Sequence, residues 1–384
     1  MSNTLTAILT QILARGMMPL RERVMMTRLV NTDYSTEAGR KGQTIDIPLS
    51  ASMTATAVTP AATPSAPTDL TPTTAQISLT NWQHASFGLN DQEMGRIRAD
   101  QDFIPLQMEE AFKALATKIN TSVFANYKDV YGYVGTAATT PFGAGVEVMS
   151  ATDIRKTLNK QLCPRDNRRA VLDYDAEAAA LNLAQFSDAE KRGSATTKTE
   201  GEIGKVFGIN WYGDDGVPSH TAGTVTSSPV AGDTAIGSAT VTVSGGSGNY
   251  LEGDIITIAG DTQTYVVGAT CDSSSGTLAI DPPLKVAITG GSAPAITLKA
   301  SHVVNLAFHR DAFGLAMRAP DMGLKELAGV NLGNVISSVT LADPVTKLIM
   351  RLEYIRGYKM LIWDIDCLWG TTCVSPERAC RLAG

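Results

Sequence analysis

The chain is 384 residues long, 18% charged, 43% hydrophobic and only 6% aromatic, and its 32 basic and 38 acidic side chains leave a formal charge of -6. At about 100 to 200 residues per domain, this length accommodates two or three units that each bury a core, which excludes a disordered or fibrous chain. The acidic balance argues against a dedicated nucleic-acid reader, which needs a basic stripe against phosphates, and the lack of any run of about eighteen apolar residues argues against a membrane partner.

From Met1 to Lys41 six basic residues (Arg15, Arg21, Arg23, Arg28, Arg40, Lys41) stand against three acids (Glu22, Asp33, Glu37), so this stretch carries +3 and the remainder -9. It reads as a solvated arm on a subunit surface, with a weak contact to an anionic partner as the alternative. Leu5, Ile8, Leu9, Ile12 and Leu13 keep a helical spacing that Pro19 interrupts, and without a basic leader this opening predicts a soluble, unexported protein.

The texture then changes. Between Gly42 and Gly95 there is no lysine or arginine, and Thr, Ala, Pro and Ser dominate. Ile45, Ile47 and Leu49 alternate with Thr44, Asp46 and Pro48, while Ile77, Leu79 and the run to Phe87 continue an extended pattern. Between these strands lies a linker with Pro60, Pro64, Pro67 and Pro72. A hairpin of this kind is marginal alone in water. Lacking charge and any local core, it is expected to drape over a neighbouring subunit rather than fold back on its own domain.

Met108, Phe112, Leu115, Ile119, Val123 and Tyr127 recur every three or four residues, predicting a long helix after a cap at Asp100 or Asp102 and Pro105 in its first turn. It reads as a spine. Ser150 with Asp153 forms a candidate capping box for a helix through Ile154, Leu158 and Leu162 that ends at Pro164. A strand from Arg169 to Tyr174, a cap at Asp175, a helix from Ala176 to Phe186 and a strand from Val206 to Tyr212 follow. From about Thr221 to Ala300 the sequence is rich in Gly, Ser and Thr, with strands expected at Ala239 to Val243, Asp254 to Ile258, Thr264 to Val267, Thr277 to Ile280 and Val286 to Thr289. The even spacing predicts a small β-barrel or sandwich inserted into the host domain, because mixed α/β sequence resumes at Val303 to Phe308. Strands at Val335 to Leu341, Val345 to Tyr354 and Tyr358 to Leu368, and a helical tail from Pro376 to Leu382, close the chain.

Side chains with chemical potential are sparse. His309, Arg310, Asp311 spells the kinase catalytic-loop tripeptide, but the glycine-rich loop, strand lysine and metal-binding triplet of that family are absent. Asp364 and Asp366 share one face of a predicted strand, as hydrolase acids would, yet no histidine or third ligand lies nearby in sequence, so both are read as solvent-facing. Asp173 and Asp175 have the same weakness. Gly213, Asp214, Asp215, Gly216 and Gly245, Gly246, Ser247, Gly248 lack both calcium-loop spacing and a P-loop lysine and read as turns. Asn120, Thr121, Ser122 is a nominal glycosylation sequon inside the predicted spine helix. Cys163, Cys271, Cys367, Cys373 and Cys380 form no CxxC and are read as reduced structural thiols. The expectation is no catalytic, cofactor-binding or metal-binding residue, and no cofactor.

The segment Val303, Val304, Asn305, Leu306, Ala307, Phe308, His309, Arg310, Asp311, Ala312, Phe313 and the closing run from Tyr358 through Trp363, Leu368, Trp369 and Gly370 to Pro376, Glu377 and Arg378 resemble those of tailed-phage major capsid proteins. Together with the order of elements, the chain is most similar to coat proteins of short-tailed Salmonella-type phages. The resemblance implies an α+β chain of the Hong Kong 97 capsid fold with an inserted small β-barrel domain. It implies an N-terminal arm at 1–40, an extended E-loop at 41–95, and a P-domain with spine helix at 96–145 and 343–370. An A-domain at 146–222 and 301–342, the inserted β domain at 223–300 and a C-terminal tail at 371–384 complete the assignment.

By the same resemblance the chain self-assembles into pentameric and hexameric capsomers of a virion shell, assembled in the host cytoplasm, around double-stranded DNA held by sparse, non-specific contact. Family members that cross-link their shells use an E-loop lysine, and none lies between Gly42 and Gly95, so no covalent mesh is expected. The E-loop begins too early for a fused scaffolding segment, so a separate scaffolding protein and a portal are the expected partners. An encapsulin-like compartment for cargo, or a hydrolase or glycan-binding protein with an accessory β module and Asp364 and Asp366 as its acids, are the alternatives.

Overall fold

Met108, Phe112, Leu115, Ile119 and Val123 are all nearly or fully buried and form one stripe of a helix, Phe103–Ala125, that continues into a short 3-10 turn at Asn126–Asp129. The protein is seen here as a computed structural model that describes residues 25–34, 44–50, 53, 55, 57, 58, 72–93, 103–145, 148–188, 203–226, 228–289, 294–320, 335–343 and 347–384. The helical spacing at Leu5 to Leu13, the caps at Asp100 or Asp102 and most of the Pro-rich linker lie outside the described residues.

The spine helix packs on a five-stranded antiparallel sheet. Its long strand Met360–Cys373 points Leu361, Trp363, Ile365, Cys367 and Trp369 into the shared core. Alternation with a period of two puts Asp364 and Asp366 on the opposite face. The strand pairs with Asn81–Asn90 on one side, and on the other with Ile349–Gly357 and, further along, Phe313–Arg318; Val335–Ala342 pairs with Ile349–Gly357.

A second sheet surrounds the closing strand Ala379–Ala383, which runs parallel to Tyr133–Gly135 and antiparallel to His302–His309. His302–His309 pairs with Arg168–Leu172, and that strand runs parallel to Ile209–Gly213. Both faces are covered. Val171, Val304, Leu306 and Phe308 join the spine-helix core, while Ala170, Leu172, Ala307, Cys380 and Leu382 pack with Ile154, Leu158, Ala176 and Ala180 of the helices Met149–Lys160 and Tyr174–Leu181. Strands buried on two sides tend to a continuous apolar sequence, and His302–His309 carries one from Val303 to Phe308 that is interrupted only by Asn305.

Residues 228–298 form a third unit with its own core, including Val241, Tyr250, Ile256, Tyr265, Val267 and Leu278. Six antiparallel strands lie in the order Thr240–Ser244, Ser275–Asp281, Thr264–Val267, Ile255–Ile258, Ala295–Leu298, Ser228–Pro229. The strand expected at Val286 to Thr289 is reduced to one bridge between Ile288 and Thr234, and Ala295–Leu298 takes its place beside Ile255–Ile258.

Several expectations need correction. Pro376 to Leu382 is not a helix: a 3-10 turn, Pro376–Arg378, leads into the strand Ala379–Ala383, whose five residues are all buried. The stretch 301–342 divides between sheets, because Phe313–Arg318 and Val335–Ala342 pair within the spine-helix sheet, not with Arg168–Leu172. Ser150 and Asp153 make no capping box. Val148 occupies the N-cap, and the Ser150 hydroxyl instead accepts from the Phe142 backbone N–H. Asp173, not Asp175, holds the N-cap position of the helix Tyr174–Leu181, without a side-chain capping bond. The solvated-arm reading fails for residues 25–34: Met26, Leu29 and Val30 are buried against the spine helix.

Candidate functional site

Thr44–Leu49 and Thr73–Ser78 pair in register from Thr44 opposite Ser78 to Leu49 opposite Thr73, which makes the base of a flap. The expectation that this flap lacks a local core is wrong for its base. Ile45, Ile47, Ile77 and Leu79 bury against Ala316 and Val374 of the same chain, because their alternation leaves one apolar face that two adjacent strands supply with a seat. Two glycines make the seat. A Cβ on Gly314 would lie 2.9 Å from the Ile77 Cδ1, and one on Gly370 would collide with the Ser78 carbonyl. Beyond the base the picture reverses: Met53 is 72% and Val58 92% exposed. The seat fixes the direction in which the two strands leave the body, and Met53 and Val58 beyond it are apolar side chains open to solvent.

The tripeptide His309, Arg310, Asp311 braces residues 25–34. Asp311 Oδ1 accepts from the Asn31 amide at 3.0 Å, Arg310 donates to both Asp33 oxygens at 3.0 Å, and Asn31 exchanges backbone bonds with Phe313 and Leu315. Arg169 adds a bond to the Leu29 carbonyl. His309 is buried, with its Nδ1 accepting from the Asp311 N–H, and burial lowers its basicity. These groups serve the chain's own early segment.

Asp364 and Asp366 do share one face, but Asp366 is not solvent-facing. It is 4% exposed and takes a bidentate bond from Arg351, with Nε to Oδ1 at 3.0 Å and Nη2 to Oδ2 at 2.5 Å, while the Trp82 indole N–H donates at 3.0 Å. Asp364 meets His84 Nδ1 at 2.9 Å near the surface. With Gln83 and Glu353 these residues line a cleft of about 460 Å³. Arg351 and Trp82 occupy three of the acceptor sites of Asp366, so this carboxylate serves as a buried counter-ion, while Asp364 and His84 pair at the rim of the cleft.

The turn at Gly213 to Gly216 is structural as well. Asp214 is buried, accepts from the Gly216 N–H at 2.8 Å and from the Asn120 amide at 3.1 Å, and desolvation raises its pKa. Asn120 Oδ1 in turn accepts from the Met26 N–H at 3.2 Å, so the nominal sequon is a buried bracket between three segments and cannot take a glycan. All five cysteines are free, and burial pushes the Cys367 and Cys380 thiols up to about 12, which disfavours the nucleophilic thiolate. Among the described residues no group of three His, Cys, Asp or Glu side chains is placed to hold a metal ion, and no helix is long and apolar enough to cross a membrane.

Sequence reasoning missed one polar cluster altogether, at the join between the third unit and the body. Arg381, on the closing strand and fully buried, donates to the Gly253 carbonyl at 2.8 Å and the Lys128 carbonyl at 3.2 Å and lies 5.0 Å above the Tyr127 ring. His220, Asp254 and His302 complete it. An arginine inside an otherwise apolar strand was the available signal.

No family model matches the chain, and no curated protein matches it in sequence. Solved structures do match. A structure of Mycobacterium phage Che8 aligns with a TM-score of 0.52 at 12% identity, covering 94% of this chain and 91% of that one. The capsid structure of the cyanophage P-SCSP1u aligns at 0.47 with 12% identity, covering 89% and 84%. A virus-like particle from Pyrococcus furiosus aligns at 0.46 with 8% identity, covering 98% and 99%. The chain therefore has the α+β fold seen in the Che8 structure, along nearly its whole length.

Proposed function

We propose that this chain is a major capsid protein of a tailed phage, a structural subunit that builds an icosahedral shell around double-stranded DNA and catalyses nothing. The observation that carries this reading is the fold shared with the Mycobacterium phage Che8 structure over 94% of the chain. The surface supports it. A flap anchored at its base, with Met53 and Val58 exposed beyond it, docks on a different patch of the next copy, and such heterologous contacts close into rings and larger shells. Each contact is weak alone, and several per subunit act together through effective concentration.

On this reading the fold is of the Hong Kong 97 type. The spine helix and its five-stranded sheet are the P-domain, the sheet around Ala379–Ala383 is the A-domain, the flap is the E-loop, and residues 223–300 are an inserted β domain. Pentameric and hexameric capsomers, a separate scaffolding protein, a portal and host-cytoplasmic assembly follow from the same assignment, with the acidic surface limiting adhesion to packaged DNA.

Electron microscopy and a sizing column test this directly. Purified protein, alone or with a scaffolding protein, gives shells or capsomers; a stable 40.6 kDa monomer with measurable hydrolysis overturns the reading. Shells that enclose protein cargo and exclude DNA in the producing cell select the storage-compartment alternative.

A further inference from the structure

The chain passes between the body and the β unit twice, and the two passes lie side by side. Ser219–His220 pairs antiparallel with the start of His302–His309, which sets His220 directly opposite His302. The two rings are 5.5 Å apart, and each residue is 3% exposed. His220 Nε2 lies 2.9 Å from Asp254 Oδ1 and its Nδ1 lies 3.1 Å from the Tyr127 hydroxyl, so one imidazole joins the end of the spine helix to the β unit. With the proton on Nε2, His220 donates to Asp254 and accepts from Tyr127. His302 donates from Nδ1 to the Ala300 carbonyl at 2.8 Å, and its Nε2 is buried with no partner.

Charged and titratable groups face this pair from every side. Asp254 comes from the β unit, Arg381 from the closing strand, and Tyr127 from the end of the spine helix. Tyr133 meets His302 edge-on at 5.3 Å, with the Lys299 ammonium 5.7 Å from that ring; the Lys128–Glu252 pair and Asp129 lie near the same end of the spine helix. The apolar part of the join is small, a cluster of Tyr131, Ile255 and Val266, whereas the body and the β unit each own a separate larger core.

We propose that His220 and His302 form an acid-operated latch: a proton taken from solvent by His302 Nε2 adds a buried cation beside Arg381, with Asp254 the carboxylate in contact with the pair, and the β unit detaches from the body while both cores stay folded. Burial, opposed by the bond to the Ala300 carbonyl and by Asp254 and aided by Arg381, pushes the His302 imidazole down to about 4. A solvated imidazole takes its proton at about 6.5, so between about pH 6.5 and pH 4 the released form binds more protons than the docked form. Docking therefore weakens as pH falls through that window and is unchanged above about pH 7, by up to on the order of 100-fold in the docking equilibrium. The inference is independent of the shell reading.

Hydrogen exchange followed by mass spectrometry on the full chain tests it, at pH 7.5, 6.0 and 4.5 with labelling times scaled to equal intrinsic rates. Peptides covering 217–223, 250–256 and 299–304 lose protection at the lower pH, approaching 100-fold by the same linkage. Peptides covering 240–244, 275–281 and 168–172 keep theirs. The His302→Phe variant, which retains a ring against Tyr133 and cannot be protonated, stays protected at the junction across the range. An unchanged junction at pH 4.5, a uniform loss over all these peptides, or a variant that still opens with acid overturns the latch. Should His302→Phe fail to fold, the localisation in the wild-type chain decides alone.

Discussion

Arg381, fully buried on the last strand of the chain, donates to the carbonyl of Gly253 across 128 residues of sequence, at 2.8 Å. With its second bond, to Lys128, it holds the closing strand, the β unit and the end of the spine helix at one point. Burial pushes its guanidinium down to about 10, so it stays charged at neutral pH. Replacing it by Met keeps most of the bulk but orphans the buried Gly253 carbonyl and the half-buried Lys128 carbonyl. Arg381→Met is expected to cost about 3 kcal/mol or more, read by urea denaturation, and a loss under about 1 kcal/mol would contradict the anchoring role.

The two acids of the cleft are expected to behave oppositely. Asp366→Asn strips the charge from a buried bidentate pair and leaves the Arg351 guanidinium only its 3.1 Å ion pair with Glu353, a loss of about 3 kcal/mol. Asp364→Asn touches a pair in which the His84 side chain is 65% exposed, and should shift stability by less than about 1 kcal/mol. Equal effects in denaturant melts would mean that the cleft is wetter than its burial indicates.

Gly370 tests the seat of the flap. A Cβ there collides with the Ser78 carbonyl and lies 3.1 Å from the Ile77 Cγ2, so Gly370→Ala must push the strand Thr73–Ser78 outward. The expected cost is about 1 to 3 kcal/mol. Hydrogen exchange should show it first at residues 73–78, and an unchanged rate there would remove the seat argument.

What the sequence made legible follows from how many faces an element buries. The spine helix buries one stripe, so Met108, Phe112, Leu115 and Ile119 announce it. Strands such as Thr240–Ser244, with Val241 and Val243 buried and Thr242 exposed, announce themselves by alternation. Ala379–Ala383 is buried on every side, and an arginine sits within it; neither period survives, so it resembles the end of a helix. The pairing of His220 with His302 is set by strand register across more than eighty residues, which no local pattern encodes. The buried Asp366 looked exposed because its partner Arg351 lies on the neighbouring strand.

Removing residues 51–71 of the flap should separate folding from assembly. Deleting residues 51–71 and joining Ser50 to Pro72 through a short glycine turn leaves the base strands and their buried Ile45, Ile47 and Ile77 intact. The subunit is expected to melt within about 1 kcal/mol of the parent, since loop changes cost little, and to form no closed shells by electron microscopy. Unfolding on deletion would place this segment in the core of its own subunit.

Shells, once formed, should come apart into single chains. An amide cross-link from the flap needs an amine, and none is present between Gly42 and Gly95. Boiling in detergent is expected to release one 40.6 kDa band, and a ladder of multiples would reveal a covalent link from elsewhere.

The β unit should fold when expressed alone as residues 223–300. Its first and last strands, Ser228–Pro229 and Ala295–Leu298, pair with each other, so the sheet is complete without the body, and its own core lies beneath it. Isolation uncovers Ile255 and Val266, which pack on Tyr131 in the full chain, and leaves Asp254 without His220. A small core of this size supports about 3 to 5 kcal/mol. A single cooperative thermal transition is therefore expected at a lower temperature than in the full chain. The segment contains no Trp, so circular dichroism or the fluorescence of Tyr250 and Tyr265 reads it, and a featureless melt would mean that the body templates this sheet.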